Sequence, residues 1–308
     1  MENVLKTLHT NVEQLRQQAE FIARIRTFFQ DRSVTEVTTP LLANTTVTDP
    51  YISSIACKLT ASSSDMQAYL QTSPEFAMKR LLAAGSGSIY QICQAFRDDE
   101  PSPLHKAEFT MLEWYQIDYD YQDLMQELHD LLKLFWPDLK LSKLTYSELF
   151  YNYIGLDIKS ATITELDSIL RKNTKSELDL RSKNDYLDAL MTLVIQPQLK
   201  YVPALFVYDY PASQASLARL SNKDPSVAER FELFLSGIEI ANGFSELTNA
   251  PEQRQRFILD NNARAEQGLP QIALDEEFLE SLVYLPSCAG VAVGLDRLFM
   301  VNSGRLDI

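Results

Sequence analysis

The chain is expected to fold as an α+β domain, a mainly antiparallel sheet with helices packed on it, and three observations lead there. Helical spacing of apolar residues is confined to a few stretches, the short strand-like runs between them are too many for alternating βαβ units, and FELFLSGIEIANG reads as a hairpin with Ser236-Gly237 near its turn. With 308 residues and 45% apolar composition, the chain can bury a sizeable core.

Residues 11 to 31 place Val12, Leu15, Ala19, Ile22, Ile25 and Phe28 on one stripe, which predicts an amphipathic helix. VTEVTTPLL then reads as a short strand stopped by Pro40. In FRDDEPSPLHKAEFTMLEWY, residues 96 to 115, a charged loop broken by Pro101 and Pro103 leads into a strand from Glu108 to Tyr115. A second helix carries Leu124, Leu128, Leu131 and Phe135, and Pro137 closes it. Residues 139 to 200 mix short helical and turn signals without strong site chemistry, and are read as a subregion inserted in a single domain spanning 1 to 308. PALFVYDYP reads as a buried strand, and PEQRQRFILDNNARAEQ as a helix with Pro251 near its start and Gly268 and Pro270 beyond its end. SCAGVAVGLDRLFMVNS reads as a small-residue strand that turns into a helix around Asp296.

Bulk properties exclude several classes. No stretch reaches the roughly 18 uncharged apolar residues of a membrane span, and Met1 to Thr10 contains Glu2, Lys6 and His9 where a signal peptide would be apolar. A cytoplasmic protein is the expectation. Cys57, Cys93 and Cys288 are too widely spaced for a zinc motif or a disulfide framework. A formal charge of −14 argues against a broad nucleic-acid surface.

The candidate site rests on combinations. Arg97 alone reads as a surface partner for Asp98 or Asp99, but Thr72-Ser73-Pro74-Glu75 precedes it and Glu113 and Tyr115 follow it. A planar guanidinium can hold a carboxylate and a phosphate together. Glu232 and Glu239, with Asn242 and Glu246 after them, would be solvated on a plain hairpin, yet Ile238, Ile240, Ala241 and Phe244 imply a buried face. Carboxylates there need a partner, and Mg²⁺ bridging phosphates suits them. Gly290 is accounted for by close backbone packing. Gly294 before Asp296 and Arg297 is more specific, because a helix start can receive a phosphate. His105 alone reads as a solvated loop residue, His9 and His129 as structural or surface residues, and Phe109 as core.

Together these stretches resemble the catalytic core of class II aminoacyl-tRNA synthetases, in the lysyl branch. FFQDRSVTEVTTP resembles motif 1 ending at Pro40, FRDDE through EFTMLEWY resembles motif 2, and GVAVGLDRLFM resembles motif 3. LQTSPEFAMKRLL and GIEIANGFSELTNA are similar to lysyl-type connecting segments, so the resemblance covers nearly the whole chain. Within that branch the elongation factor P lysyltransferases fit better, through YPASQASLA at 210 to 218 and Ala292 where lysyl synthetases have Gly. With the motif 1 helix starting near residue 11, no anticodon-binding domain is expected before it.

The resemblance implies roles. Arg97 would bridge the substrate carboxylate and the α-phosphate; Phe109 would stack on adenine; Arg297, helped by His105, would hold the γ-phosphate. Asp98, Asp99, Lys106, Glu239, Ile240 and Gly294 would complete the ATP site, and Glu232 with Glu239 would hold Mg²⁺. Glu75 and Glu113 would take the amino group nearer the carboxylate, Tyr115 and Glu246 the distant ammonium, with Ser73, Pro74, Asn242 and Ala292 also in the substrate site. The implied activity is ATP-dependent activation of (R)-β-lysine or lysine and transfer to a lysine of elongation factor P, by a homodimer that does not use tRNA or a membrane. A minimal aminoacyl-tRNA ligase and a non-catalytic synthetase paralogue are the alternatives. Departures are local: Asp99 replaces a Glu, the loop from Pro101 to Leu104 lacks the usual Arg, Lys106 stands where Asn is usual, Ser33 replaces a motif 1 Gly, and the family continues past the position of Ile308.

Overall fold

The computed structural model describes residues 12–60, 66–100, 102–174, 178 and 180–308. Met1 to Thr10 and Pro101 lie outside the described residues. An eight-stranded sheet forms the body. In chain order its members are β1 (Thr35–Glu36), β5 (Ile89–Phe96), β6 (Glu108–Ile117), β7 (Ser142–Thr145), β8 (Ala204–Pro211), β9 (Val227–Leu235), β10 (Ile238–Ser245) and β11 (Cys288–Gly294). The spatial order is β1-β5-β6-β11-β10-β9-β8-β7, antiparallel except for the outermost pairs β1–β5 and β7–β8. A small sheet of β2 (Leu42–Ala43), β3 (Ala56–Leu59) and β4 (Met66–Leu70) lies between β1 and β5 in sequence. The α+β expectation is met. Motif 1 contributes less strand than its composition suggests, since only Thr35–Glu36 pairs, with Ile89 and Tyr90.

Alternation along β6 assigns the faces. Leu112 and Trp114 turn to a core built with α1 (Val12–Gln30), α3 (Tyr121–Lys133) and α9 (Leu295–Asn302), through Ile25, Phe29, Leu128 and Leu298. Met111, Glu113 and Tyr115 turn the other way. The α3 helix opens with an Asp120–Asp123 capping box and ends at Lys133, before the Pro137 expected to close it.

The second face is covered at its two ends. At one, α2 (Glu75–Ala83), α7 (Ala250–Glu266) and α8 (Glu276–Ser281) pack Met78, Phe257 and Phe278 over Ile89 and Tyr115. At the other, α4 (Tyr146–Ile154), α5 (Ile163–Asn173) and α6 (Lys183–Leu190) share a core with Leu205, Val207 and Phe234 of the sheet. Residues 139–200 thus supply β7 and a helical wall. Between the two ends the sheet is open to a cleft of about 1540 Å³.

Candidate active site

Strand register lays out the cleft floor. One transverse row runs Glu232, Asn242, Ala292, Glu113 and Gln91 across β9, β10, β11, β6 and β5. The next runs Arg230, Phe244, Gly290, Tyr115 and Ile89. Because partners opposite one another share a face, residues far apart in the chain meet here. A bulge at Ile240 makes Glu239 pair with Phe234 and Ala241 with Leu233, which brings Glu239 onto the same face as Glu232 and Asn242. The tip is tight: Ser236 and Gly237 both have positive φ, 47° and 80°.

Arg97 stands where β5 leaves the sheet. Its guanidinium lies 5.4 Å from the Phe109 ring, and its Nε is buried without a hydrogen-bond partner. Burial lowers its pKa against the attraction of Glu239 and Asp99. An Arg so placed is prepared for an anion, and the surface pairing considered from sequence is not its role. Asp98 instead donates its N–H to Ser53 O at 2.8 Å and, like Pro74, does not line the cleft. Ser73, Asp99, His105, Lys106 and Phe109 do line it, so Phe109 is not a core residue. His105 Nδ1 lies 2.8 Å from Ser102 Oγ, and burial followed by the charge of Arg297 lowers its pKa.

Asp296, at the start of α9, accepts from Thr110 N at 2.7 Å and ties motif 3 to β6. Arg297 donates to Glu239 O (3.0 Å) and Leu104 O (3.2 Å), so it joins the hairpin to the motif 2 loop on the cleft wall. Gly294 and Ile240 also face the cleft.

At the far end of the floor lie three carboxylates. Glu113 is 2% exposed; its Oε1 accepts from Tyr115 OH at 2.6 Å and its Oε2 is buried with no partner. Burial first, then the charge of Glu75, pushes it up to about 8. Tyr115 OH thus donates to Glu113 within the site. Glu75 Oε1 and Glu246 Oε2 both reach Lys79 Nζ, at 2.6 and 2.5 Å. Glu246 Oε1 is buried without a hydrogen-bond partner. Gly290 is required by these side chains and not by a neighbouring backbone: an added Cβ would come within 2.3 Å of Tyr115 Cε1 and 2.6 Å of Glu246 Oε1.

Glu232 is held by Arg230, Nη2 to Oε1 at 2.6 Å, and the same guanidinium donates to Asn242 Oδ1 and Gln214 O. Burial and then the charge of Glu239, opposed by Arg230, push Glu232 up to about 7. Among the described residues no group of three or more His, Cys, Asp or Glu side chains could enclose a metal. Glu232 and Glu239 share one face of the hairpin and the charge of Glu239 acts on Glu232, a two-carboxylate donor set suited to a hard cation that keeps water and takes phosphate oxygens as its other ligands, as Mg²⁺ does.

Several residues escaped the sequence reading. Lys79 carries one local sign, its place four residues after Glu75 in EFAMKRLL; Arg230 carries another, its two-residue step from Glu232 in a buried strand. Asp185 and Asp188 line the wall supplied by α6, contrary to the expectation that residues 139 to 200 lack site chemistry. Tyr51 OH donates to Asp185 at 2.8 Å across the cleft, and burial raises Asp188 to about 6.

A large, mostly antiparallel sheet flanked by helices, with a cleft on one face, is the fold of a class II aminoacyl-tRNA synthetase domain. The family model for tRNA synthetases class II (D, K and N) matches residues 3–308, and the chain belongs to that family. Class II synthetases in general use ATP and Mg²⁺. No helix among the described residues is long and apolar enough to cross a membrane.

Proposed function

We propose that this protein activates (R)-β-lysine or lysine as its adenylate and transfers it to a lysine side chain of elongation factor P. The observation that carries the amino-acid class is the two buried carboxylates at the closed end of the cleft, Glu113 with Oε2 and Glu246 with both oxygens lacking a hydrogen bond, Glu246 Oε2 being ion-paired with Lys79. An uncompensated buried acceptor costs about 1–3 kcal/mol, more when charged, so each calls for a donor. Two ammonium groups on one small molecule supply both.

In this reading Arg97 holds the substrate carboxylate against the α-phosphate through donors that include its free Nε, and stabilises charge as the carboxylate oxygen attacks phosphorus and pyrophosphate leaves. Adenine lies on the Phe109 ring, with Asp99 at its edge. Arg297 and His105 face the γ-phosphate, and Lys106 supplies positive charge on the pyrophosphate side. Glu232 and Glu239 would hold Mg²⁺, which would neutralise phosphate charge when bound. The acceptor ε-amine then attacks the carbonyl carbon of the mixed anhydride; the C–N bond forms, the C–O bond to AMP breaks, and the amine proton passes to solvent. No protein nucleophile is needed.

The acceptor assignment rests on the resemblance of YPASQASLA, 210–218, and of Ala292 to the elongation factor P lysyltransferases; Tyr210 and residues 212–217 line the cleft, and Ala292 stands beside Glu113 in the floor row. An acidic chain without need of tRNA, acting as a homodimer through motif 1, belongs to the same reading. The test is ATP–pyrophosphate exchange with α-lysine and both β-lysine enantiomers, followed by mass analysis of elongation factor P added to the mixture. Exchange with a lysine isomer and a matching mass gain on the factor are expected. Exchange without that gain, but with aminoacylated tRNA, would assign the protein to tRNA charging; no exchange at all would indicate a non-catalytic paralogue.

A further inference from the structure

Lys79 is 1% exposed, yet an ammonium is among the costliest groups to bury. It lies on α2 beneath the closed end of the cleft, within 2.6 Å of Glu75 Oε1 and 2.5 Å of Glu246 Oε2, with the Phe244 ring 5.3 Å away. Burial alone would lower its pKa; the charges of Glu246 and Glu75 outweigh that and hold it raised, so Lys79 stays protonated. Nothing in the reaction sequence above uses it.

Its arrangement parallels that of Tyr115. Each of the two carboxylates at the closed end has one oxygen engaged by an internal partner, Glu113 Oε1 by the Tyr115 hydroxyl and Glu246 Oε2 by the Lys79 ammonium as an ion pair, while Glu113 Oε2 and both Glu246 oxygens make no hydrogen bond. The charges also add up: three carboxylates, Glu75, Glu113 and Glu246, and one ammonium give −2 when all are ionised. That matches two ammonium groups. Without Lys79 the same pocket would carry −3 when ionised, and its carboxylates would hold their protons more firmly against the substrate.

We propose that Lys79 is the positioning residue that makes the pocket select a doubly cationic amino acid: it tethers Glu75 and Glu246, cancels one carboxylate charge, and leaves one oxygen each of Glu246 and Glu113 as the two ammonium acceptors. This assignment rests on the lysine reading above and deepens it. Specificity arises because an amino acid with one ammonium leaves one of the two acceptors buried and unpaired.

Lysine-dependent ATP–pyrophosphate exchange by Lys79→Met provides the test. The lysine KM is expected to rise roughly 10- to 100-fold, the loss of one charged hydrogen-bonded anchor, while the ATP KM stays within about twofold because Arg97, Phe109 and Arg297 are untouched. The pH at which the lysine KM falls should also move upward, since removing a cation raises the proton affinity of Glu113 and Glu246, with Tyr115 and Cys93 beside Glu113 and Cys288, near Arg219, beside Glu246. A merely structural lysine would leave that profile in place. Should Lys79→Met fail to fold, Lys79→Met combined with Glu75→Gln keeps the total at −2, and its lysine KM should exceed that of Glu75→Gln alone because Glu246 has lost its tether. A lysine KM equal to wild type in Lys79→Met, or to Glu75→Gln in the double variant, overturns the assignment of Lys79 alone. No exchange by the wild-type protein with any lysine isomer overturns it together with the lysine reading.

Discussion

Replacing Glu113 by Gln should stabilise the empty protein at high pH and destabilise it at low pH. Glu113 is fully enclosed and held up to about 8 against an ordinary value of 4.5. The folded state thus binds more protons than the unfolded state between those values, and stability falls as pH rises through that window. Integrating the shift, an ionisable Glu113 costs about 4 kcal/mol near pH 8, about 3 near pH 7 and less than about 1 near pH 5. Glutamine removes that cost but places an amide N–H₂ where Oε2 has no partner, a penalty of about 1–3 kcal/mol at any pH. The net change is a gain of roughly 1–3 kcal/mol near pH 8 and a loss of up to roughly 2 near pH 5. Urea unfolding of both proteins across that range measures it through the denaturation midpoint. A variant uniformly less stable, with no reversal of sign, would refute the reasoning, since it would mean that Glu113 is ionised at neutral pH in the empty site.

Two further perturbations probe separate parts of the structure. Gly290→Ala should abolish lysine-dependent exchange and cost about 1–3 kcal/mol of stability, because the new methyl would displace Tyr115 or Glu246 Oε1, both under 3 Å away; retained exchange in thermally unperturbed protein would contradict it. Ser33→Gly should stabilise by roughly 0.5–1 kcal/mol without altering exchange kinetics, since Ser33 sits at φ 56° in the turn after α1; urea midpoints decide.

Much of the fold was legible because its signals are local. The stripe from Val12 to Phe28 and the caps of α3 are properties of consecutive residues, and Ser236-Gly237 marks its own turn. The short pairing of β1 was not, because whether Val37 to Thr39 continues a strand depends on how far Ile89 and Tyr90 extend beside it. In the site, Arg97, Glu113, Glu232 and Arg297 stood out through their company in motifs. Their physical relation did not, since the row from Glu232 to Gln91 is created by register across five strands. Lys79 looked like an ordinary helix cation for the same reason. Its second carboxylate, Glu246, is brought to it only when β10 and β11 are in place.

The tip of the acidic hairpin has a consequence for how this chain tolerates shortening. Gln196 donates its side-chain amide to Gly237 O at 3.0 Å, and a Cβ on Gly237 would meet Lys200 N at 2.9 Å, so the turn is seated against the backbone of residues 196–201. Phe234, two residues before the turn, is buried among the helices of the same segment. The helical segment therefore acts as the anvil on which the turn between Glu232 and Glu239 is shaped. A trimmed version lacking it would present the same acids on an unsupported ribbon, with Phe234 exposed to water beside them.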